Sequence, residues 1–206
     1  LSRKLIHIGT GPLFVLCWPL FGDGFDARFW AALVPLAITL KFAAIGLGWL
    51  HDPSAVKSMT RHNDPHEILR GPLYYGIAFI VCTVVFWRTS PVGILALMIM
   101  CGGDGLADIV GRRWGHRKLP FSQDKSWIGS LAMLLGSFGF GLGYLALFNG
   151  LGYLQPALAW EVLVLGVGVI AIAATLVEAL PFKDIDNLTL TAVAIALGRT
   201  IFTVPM

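Results

Sequence analysis

Apolar residues fall into seven long runs, near Leu5 to Phe21, Phe29 to Leu50, Gly71 to Trp87, Val92 to Val110, Gly129 to Leu151, Val162 to Leu180 and Leu188 to Val204, with short polar segments between them. Each run is at least seventeen residues long, close to the roughly twenty that a helix needs to cross a bilayer and well beyond the 9–11 of a barrel strand. Helices and closed barrels alone satisfy every backbone polar group in lipid. The pattern therefore predicts an all-α, polytopic integral membrane protein of about seven transmembrane helices. In the segment from His51 to Gly71, Asp52-Pro53 and Asp64-Pro65 each read as an Asp N-cap followed by Pro at the first helical position, and Glu67 stands where a capping box would place it. Two short interfacial helices are expected there.

Composition narrows the class further. Of 206 residues, 56% are hydrophobic and 13% charged, and the mean hydropathy is +0.76; a soluble domain carries about a quarter charged residues, so a water-soluble enzyme is excluded. The runs occupy most of the chain and leave no room for a separate soluble catalytic domain. Residues 1–206 read as a single transmembrane domain whose chemistry belongs in the membrane or at its surface. The chain opens on Leu1 rather than Met, so preceding residues are expected. Cys17, Cys82 and Cys101 each sit alone in an apolar run without CxxC spacing, and read as small buried hydrophobes.

Seven spans place alternate loops on opposite faces. One face receives Arg3, Lys4, Lys57, Arg61, Arg70, Arg112, Arg113, Arg117, Lys118, Lys125 and Lys183, the other only Arg28 and Arg88, while Lys41 and Arg199 fall within spans and complete the fifteen. All five histidines, His7, His51, His62, His66 and His116, share the basic face. By the positive-inside rule that face is cytoplasmic, or stromal in a plastid. Its charge suits anionic lipid or a polyphosphate equally.

The fourth run leads into Cys101-Gly102-Gly103-Asp104-Gly105-Leu106-Ala107-Asp108, followed by Gly111-Arg112-Arg113. Asp104 and Asp108 are four apart and share a helical face. A carboxylate near the centre of a span costs roughly 2.5–3.5 kcal/mol on insertion scales, which points to pairing or function. Two oxygen donors on one face suit Mg²⁺, with positions left for phosphate oxygens and water; neutralisation of the pair by Lys41 or Arg112 is the competing reading. Gly103 and Gly105 would let backbone approach a ligand, and close helix packing explains them as well. Five basic residues from Arg112 to Lys125 stand beside the acids, as a metal-bound polyphosphate requires, and Lys125-Ser126 precedes a helix N-terminus suited to an anion. No GxxxxGK[ST] pattern is present, so a nucleotide site here is not a P-loop.

The segments RKLIH (3–7), LRGPLYY (69–75), CGGDGLADIVGRRWG (101–115), KLPFSQDKSWIGS (118–130) and VEALPFKDIDNLTL (177–190) together resemble the polyprenol kinase family, nearest the phytol kinases of photosynthetic organisms. The likeness runs in order along nearly the whole chain, and its long central stretch is specific. It implies CTP-dependent phosphorylation of phytol or a related long-chain isoprenoid alcohol to its monophosphate, assisted by Mg²⁺. On this basis Asp104, Asp108 and Lys125 are the catalytic candidates, with Asp104 and Asp108 also the metal ligands. Arg112, Lys118, Lys125, Ser126, Gly103, Gly105 and His7 are candidates for nucleotide and phosphate binding, and Lys41, Arg70, Glu178, Asp186 and Asn187 are further candidates. Asp186 serves equally well as an N-cap. The partners implied are CTP, phytol or a similar prenyl alcohol and membrane lipid, with no nucleic acid, in a cyanobacterial or chloroplast membrane. A CTP-dependent lipid-phosphate cytidylyltransferase is the alternative enzyme. A small anion transporter with Asp104, Asp108, Glu178 and Lys41 along its path is a more distant one.

The glycines Gly136, Gly139 and Gly143 of the fifth run have the spacing of a helix-packing stripe. The apolar groove that a prenyl tail needs is not legible in the sequence.

Overall fold

The computed structural model describes residues 2–181 and 185–203, with Ser2, Arg3 and Thr203 described in backbone alone. Lys183, counted on the basic face, and Val204, at the end of the seventh run, lie outside the described residues. The helices are α1 (Ser2–Leu16), α2 (Ala27–Gly46), α3 (Pro53–Met59), α4 (Gly71–Val81), α5 (Pro91–Met98), α6 (Asp104–Trp114), α7 (Trp127–Gly150), α8 (Trp160–Glu178) and α9 (Asp186–Thr203). Wide π turns extend α4 over Cys82–Phe86 and join α5 to α6 over Ile99–Gly103.

The protein is an all-α membrane protein, and a helix stands at each of the seven apolar runs. Five described helical stretches are long and apolar enough to cross a bilayer: Ala27–Gly46, Pro65–Phe86, Pro91–Trp114, Trp127–Gly150 and Trp160–Glu178. The first helix is apolar but shorter, over Lys4–Leu20. Both Lys4 and His7 in its opening turns are buried against protein rather than turned to lipid. The last helix carries Asp186 and Arg199.

Pro91–Trp114 is the central rod, because 83% of its apolar stretch is buried against 33–39% for the other four. Ser90 starts it by accepting a hydrogen bond from Val92 N (3.3 Å), with Pro91 at the first helical position. Around it α1 lies against α5 and α6, α7 against α6 and the Ile99–Gly103 turn, and α9 against α5 and α8. The outer helix α2 packs on α4. Leu95, Leu97, Met98, Ile99 and Met133 are fully buried at the centre.

On the basic edge the two Asp-Pro starts behave as the sequence predicts. Asp52 accepts from Ala55 N at 3.0 Å to cap α3, and Asp64 accepts from His66 N at 3.0 Å at the head of a 3₁₀ turn over Pro65–Leu69. The capping box does not form. Glu67 instead accepts from the backbone of Arg61 and His62 and pairs with the His62 ring, because the chain doubles back over it. Where sequence alone suggested a loop after α6, a hairpin forms from β1 (Lys118–Leu119) and β2 (Ser122–Ser126). Its turn falls at Pro120-Phe121, and Leu119, Ser122 and Ser126 face inward.

Candidate active site

The site starts from the junction of the π turn with α6. Single π turns inside helices recur at functional sites, since the extra residue re-aims the side chains that follow. Asp104 is the first residue of α6, only 4% exposed, and Asp108 follows one turn later on the same face. What buries Asp104 is the close approach of neighbouring helices at the glycines. A Cβ on Gly102 would strike Phe140, one on Gly103 would strike Ser137 and Met133, and one on Gly105 would strike Ile8. Of the two explanations the sequence offered for Gly103 and Gly105, close helix packing is the one these contacts match, since the missing side chains admit α7 and α1.

The partner of Asp104 is Lys4, which forms a buried ion pair with it from the first turn of α1. A snorkelling lysine is the ordinary reading of such a position, and the sequence gives no sign of a contact made a hundred residues away. The proposed neutralisation by Lys41 is also corrected. Lys41 bonds Asp52 at 2.8 Å, and that salt bridge holds Asp52 well below the usual carboxylate range, aided by the Ala55 and Ser54 hydrogen bonds. Asp108 pairs with Arg112 one turn on, at 2.9 Å. Lys125, projecting from β2, pairs with the buried Glu178 at the end of α8. Burial pulls the Lys125 ammonium down, yet the Glu178 charge and hydrogen bond outweigh it and leave the group above its ordinary value of 10.5.

The pairs Lys4–Asp104, Asp108–Arg112 and Lys125–Glu178 line a cavity of about 390 Å³ at the basic edge of the helices, within the range of roughly 300–1,000 Å³ of small-molecule sites. The fold brings Asp104, Asp108, Arg112, Lys118, Lys125, Ser126, Glu178 and Asp186 into its wall from four separate parts of the chain. Lys4, Arg61, Ser122 and Asp124 join them, and sequence reasoning had assigned none of these four to a site. Arg61 is delivered by the turn between α3 and Pro65, and Ser122 and Asp124 by the hairpin. The Ser126 hydroxyl accepts from Gly129 N at 3.2 Å, so it caps α7 while lining the cavity.

Other sequence candidates lie elsewhere. His7 is buried with its ring edge-on to Tyr75, centroids 3.9 Å apart, and lines a different, apolar cavity. Arg70 stands just before α4, outside the described wall of the acidic cavity. Asn187 donates to Gly71 O at 3.0 Å and so ties α9 to the start of α4. The glycine stripe of α7 is mixed: Gly136 packs on Gly102 and Leu106, whereas Gly139 and Gly143 face open space.

Five cations and five carboxylates line the described wall of the cavity. A bare triphosphate would find no net attraction there, and a divalent cation between carboxylate and phosphate removes the conflict. Among the described residues no three His, Cys, Asp or Glu side chains cluster as a metal cage. Mg²⁺ seldom uses one, since it is commonly held by one or two carboxylates together with substrate phosphates and water. Asp104 and Asp108 fit that pattern.

No family model and no solved structure matches the chain. Among curated proteins it is 47% identical over 191 residues to a probable phytol kinase 1, chloroplastic, of Oryza sativa subsp. japonica, covering 92% of this chain and 60% of that protein. It is 43% identical over 204 residues to a probable phytol kinase, chloroplastic, of Triticum aestivum, covering 98% and 67%. It is 41% identical over 204 residues to a farnesol kinase, chloroplastic, of Arabidopsis thaliana, covering 98% and 66%. The chain thus spans 60–67% of the length of these relatives.

Proposed function

The chain belongs to the phytol kinase family of prenyl alcohol kinases, and from that premise we propose that it transfers the γ-phosphate of CTP to the hydroxyl of phytol or a related isoprenoid alcohol. The observation that carries the reading is the cavity that the buried pair Lys4–Asp104 and the pair Lys125–Glu178 line together with Asp108, Arg112 and Lys118 at the edge of the hydrophobic region. A soluble triphosphate reaches it from the basic face and a membrane-dissolved alcohol from the bilayer. Cytidine is assigned from the family resemblance. By the positive-inside rule the site faces the stroma of a chloroplast or the cytoplasm of a cyanobacterium.

In the reaction the alcohol oxygen forms a bond to the γ-phosphorus, the bond from that phosphorus to the bridging oxygen breaks, and its electron pair leaves on CDP. Arg112, Lys118 and Lys125 neutralise phosphate oxygens, and Lys4 adds a fourth cation beside Asp104. Asp108, the more accessible of the two α6 carboxylates, orients the hydroxyl and takes its proton. Phosphoryl transfer depends mainly on positioning and charge neutralisation, so a strong base is not required. Mg²⁺ held by Asp104 and Asp108 would supply further neutralisation of the phosphates.

The test is incubation of the purified protein in lipid nanodiscs with Mg²⁺, CTP, ATP or UTP, and phytol, geranylgeraniol, farnesol or dolichol, followed by product mass. A prenyl monophosphate with release of CDP is expected. A product that retains CMP would identify a cytidylyltransferase instead, and an absence of any phosphorylated alcohol would overturn the proposal.

A further inference from the structure

A second cavity, of about 420 Å³, lies between α1, α2 and α4. Its wall is almost wholly apolar. The hydroxyls of Thr10 and Thr39 are turned back onto their own helices, donating to Ile6 O at 2.7 Å and Pro35 O at 2.6 Å, so only their acceptor lone pairs remain. The remaining polar side chains of its wall gather where His7 and Tyr75 meet. The Tyr75 hydroxyl reaches His7 O at 3.4 Å and Cys101 Sγ at 3.3 Å, and Cys101 lies three residues before Asp104. His7 follows Lys4 by one turn of α1. The apolar cavity thus ends one helical turn from the acidic site, on two separate helices.

The cavity also has a mouth. α1 is held by α5 and α6, and α2 by α4, so these two consecutive helices leave a slot between them. Leu13, Val34 and Ile38 flank it and are 61%, 53% and 50% exposed, which in a membrane protein means open to lipid. From Ile6 to Cys17 the cavity follows roughly 16 Å of helical rise, about half of the ~30 Å hydrocarbon core. A chain lying in it runs from headgroup level to the bilayer centre.

We propose that this slot binds the isoprenoid tail of the alcohol, with the hydroxyl end at His7 and Tyr75 and directed toward Lys4 and Asp104. The assignment rests on the prenyl alcohol kinase reading and adds the location and route of the acceptor. A helix of a second copy, about 10 Å across with its side chains, does not fit a slot of this volume. The furrow over Gly139 and Gly143 on α7 is apolar as well, with Tyr144 as its polar side chain, but it is the more open of the two and neither His7 nor Tyr75 borders it.

The experiment uses phytol carrying a diazirine near the tail, photolysed with the protein in nanodiscs without nucleotide, and mapping of adducts by mass spectrometry. Adducts on α1, α2 and α4 that excess phytol competes away, and that fall about tenfold in Ile38→Trp and in Val34→Trp, the scale of a side chain filling a cavity, are the expected result. Leu135→Trp in the α7 furrow leaves them unchanged. Adducts concentrated on α7, adducts indifferent to both slot variants, or labelling competed equally by a straight-chain alcohol overturns the proposal. Two slot variants, each checked for a monodisperse elution profile, guard against misfolding of one. Because labelling needs no nucleotide, slot labelling without phosphate transfer would sink the kinase reading alone, and transfer without slot labelling would sink this one alone.

Discussion

Lys4, in the first turn of α1, and Asp104, at the start of α6, form an ion pair from which water is nearly excluded, with side-chain exposures of 6% and 5%. Removing one member of a buried pair strands the other charge, at a cost of about 3 kcal/mol or more, whereas replacing both with apolar residues is often neutral. Lys4→Met and Asp104→Asn are each expected to lower the unfolding midpoint, and Lys4→Met/Asp104→Leu to recover most of the loss. Activity separates packing from chemistry. The double variant should remain at least about a hundredfold below wild type in turnover, the scale of losing a group that acts on transition-state charge. A stable double variant with normal turnover would show the pair to be a packing device only.

Lys125 gives a prediction about pH. Its folded value lies above 10.5, raised by Glu178 against the opposing effect of burial. A raised lysine contributes its stability fully below the unfolded value and loses it only as pH rises through the folded one, so the Lys125–Glu178 pair remains intact throughout neutral pH and weakens above about 10.5. Glu178→Gln removes the main partner and leaves burial opposed only by the charges of Asp104 and Asp186, which shifts Lys125 toward the neutral amine. The alkaline limb of the rate profile should therefore move to lower pH in Glu178→Gln. An unmoved limb would mean that Lys125 charge does not limit the reaction.

The parts of this molecule that could be read from sequence are those fixed by local periodicity. The helices, the Asp52-Pro53 start of α3 and the shared face of Asp104 and Asp108 all depend on residues within one turn of each other. Lys4 could not be found this way, because its role depends on which helix α1 lies against. The same holds for Gly103, where a packing glycine and a ligand-facing one have identical local signatures, and for His7, whose face of α1 turns to Tyr75 instead of the acidic cavity. The hairpin over Lys118–Ser126 was hidden by its shortness. Two paired residues in β1 give no alternation to detect.

Lys41 provides a control. Its salt bridge to Asp52 lies away from the acidic cavity, with the Lys41 side chain 51% exposed, and exposed pairs contribute little. Lys41→Met should change kcat/KM for CTP by no more than about twofold, in keeping with that small contribution. A loss as deep as that of Asp104→Asn would mean that α2 and α3 transmit to the site.

On the opposite edge, Arg88 is 3% exposed and donates to Trp18 O at 3.0 Å, Phe21 O at 2.7 Å and Gly22 O at 3.2 Å while pairing with Asp23. One guanidinium thus gathers the carbonyls of the turn that follows the first helix. Arg88→Met should destabilise the protein by about 2–4 kcal/mol, since buried acceptors lose a charged donor, yet leave KM for CTP unchanged. Arg88→Lys cannot reproduce the fork and should recover only part of the loss. The check is a thermal melt beside a nucleotide titration, and a change in KM would contradict a purely structural role.

Two glycines four helical turns or fewer from the site distinguish packing from open surface. A methyl at Gly103 meets the Ser137 hydroxyl and, at 3.0 Å, the Met133 sulfur, both fully buried, whereas a methyl at Gly139 meets nothing within 4 Å. Overpacking a dense interior costs about 1–3 kcal/mol because neighbours must leave their rotamers. Replacing an exposed helical glycine with alanine gains roughly 0.5–1 kcal/mol instead. Gly103→Ala should therefore lower the melting point and, by pushing α6 away from α7, displace Asp104 and depress turnover. Gly139→Ala should melt at or above the wild-type temperature with turnover intact. If Gly103→Ala melted normally but lost affinity for CTP, the glycine would be admitting nucleotide after all, and the assignment of the π turn as a packing junction would have to be reversed.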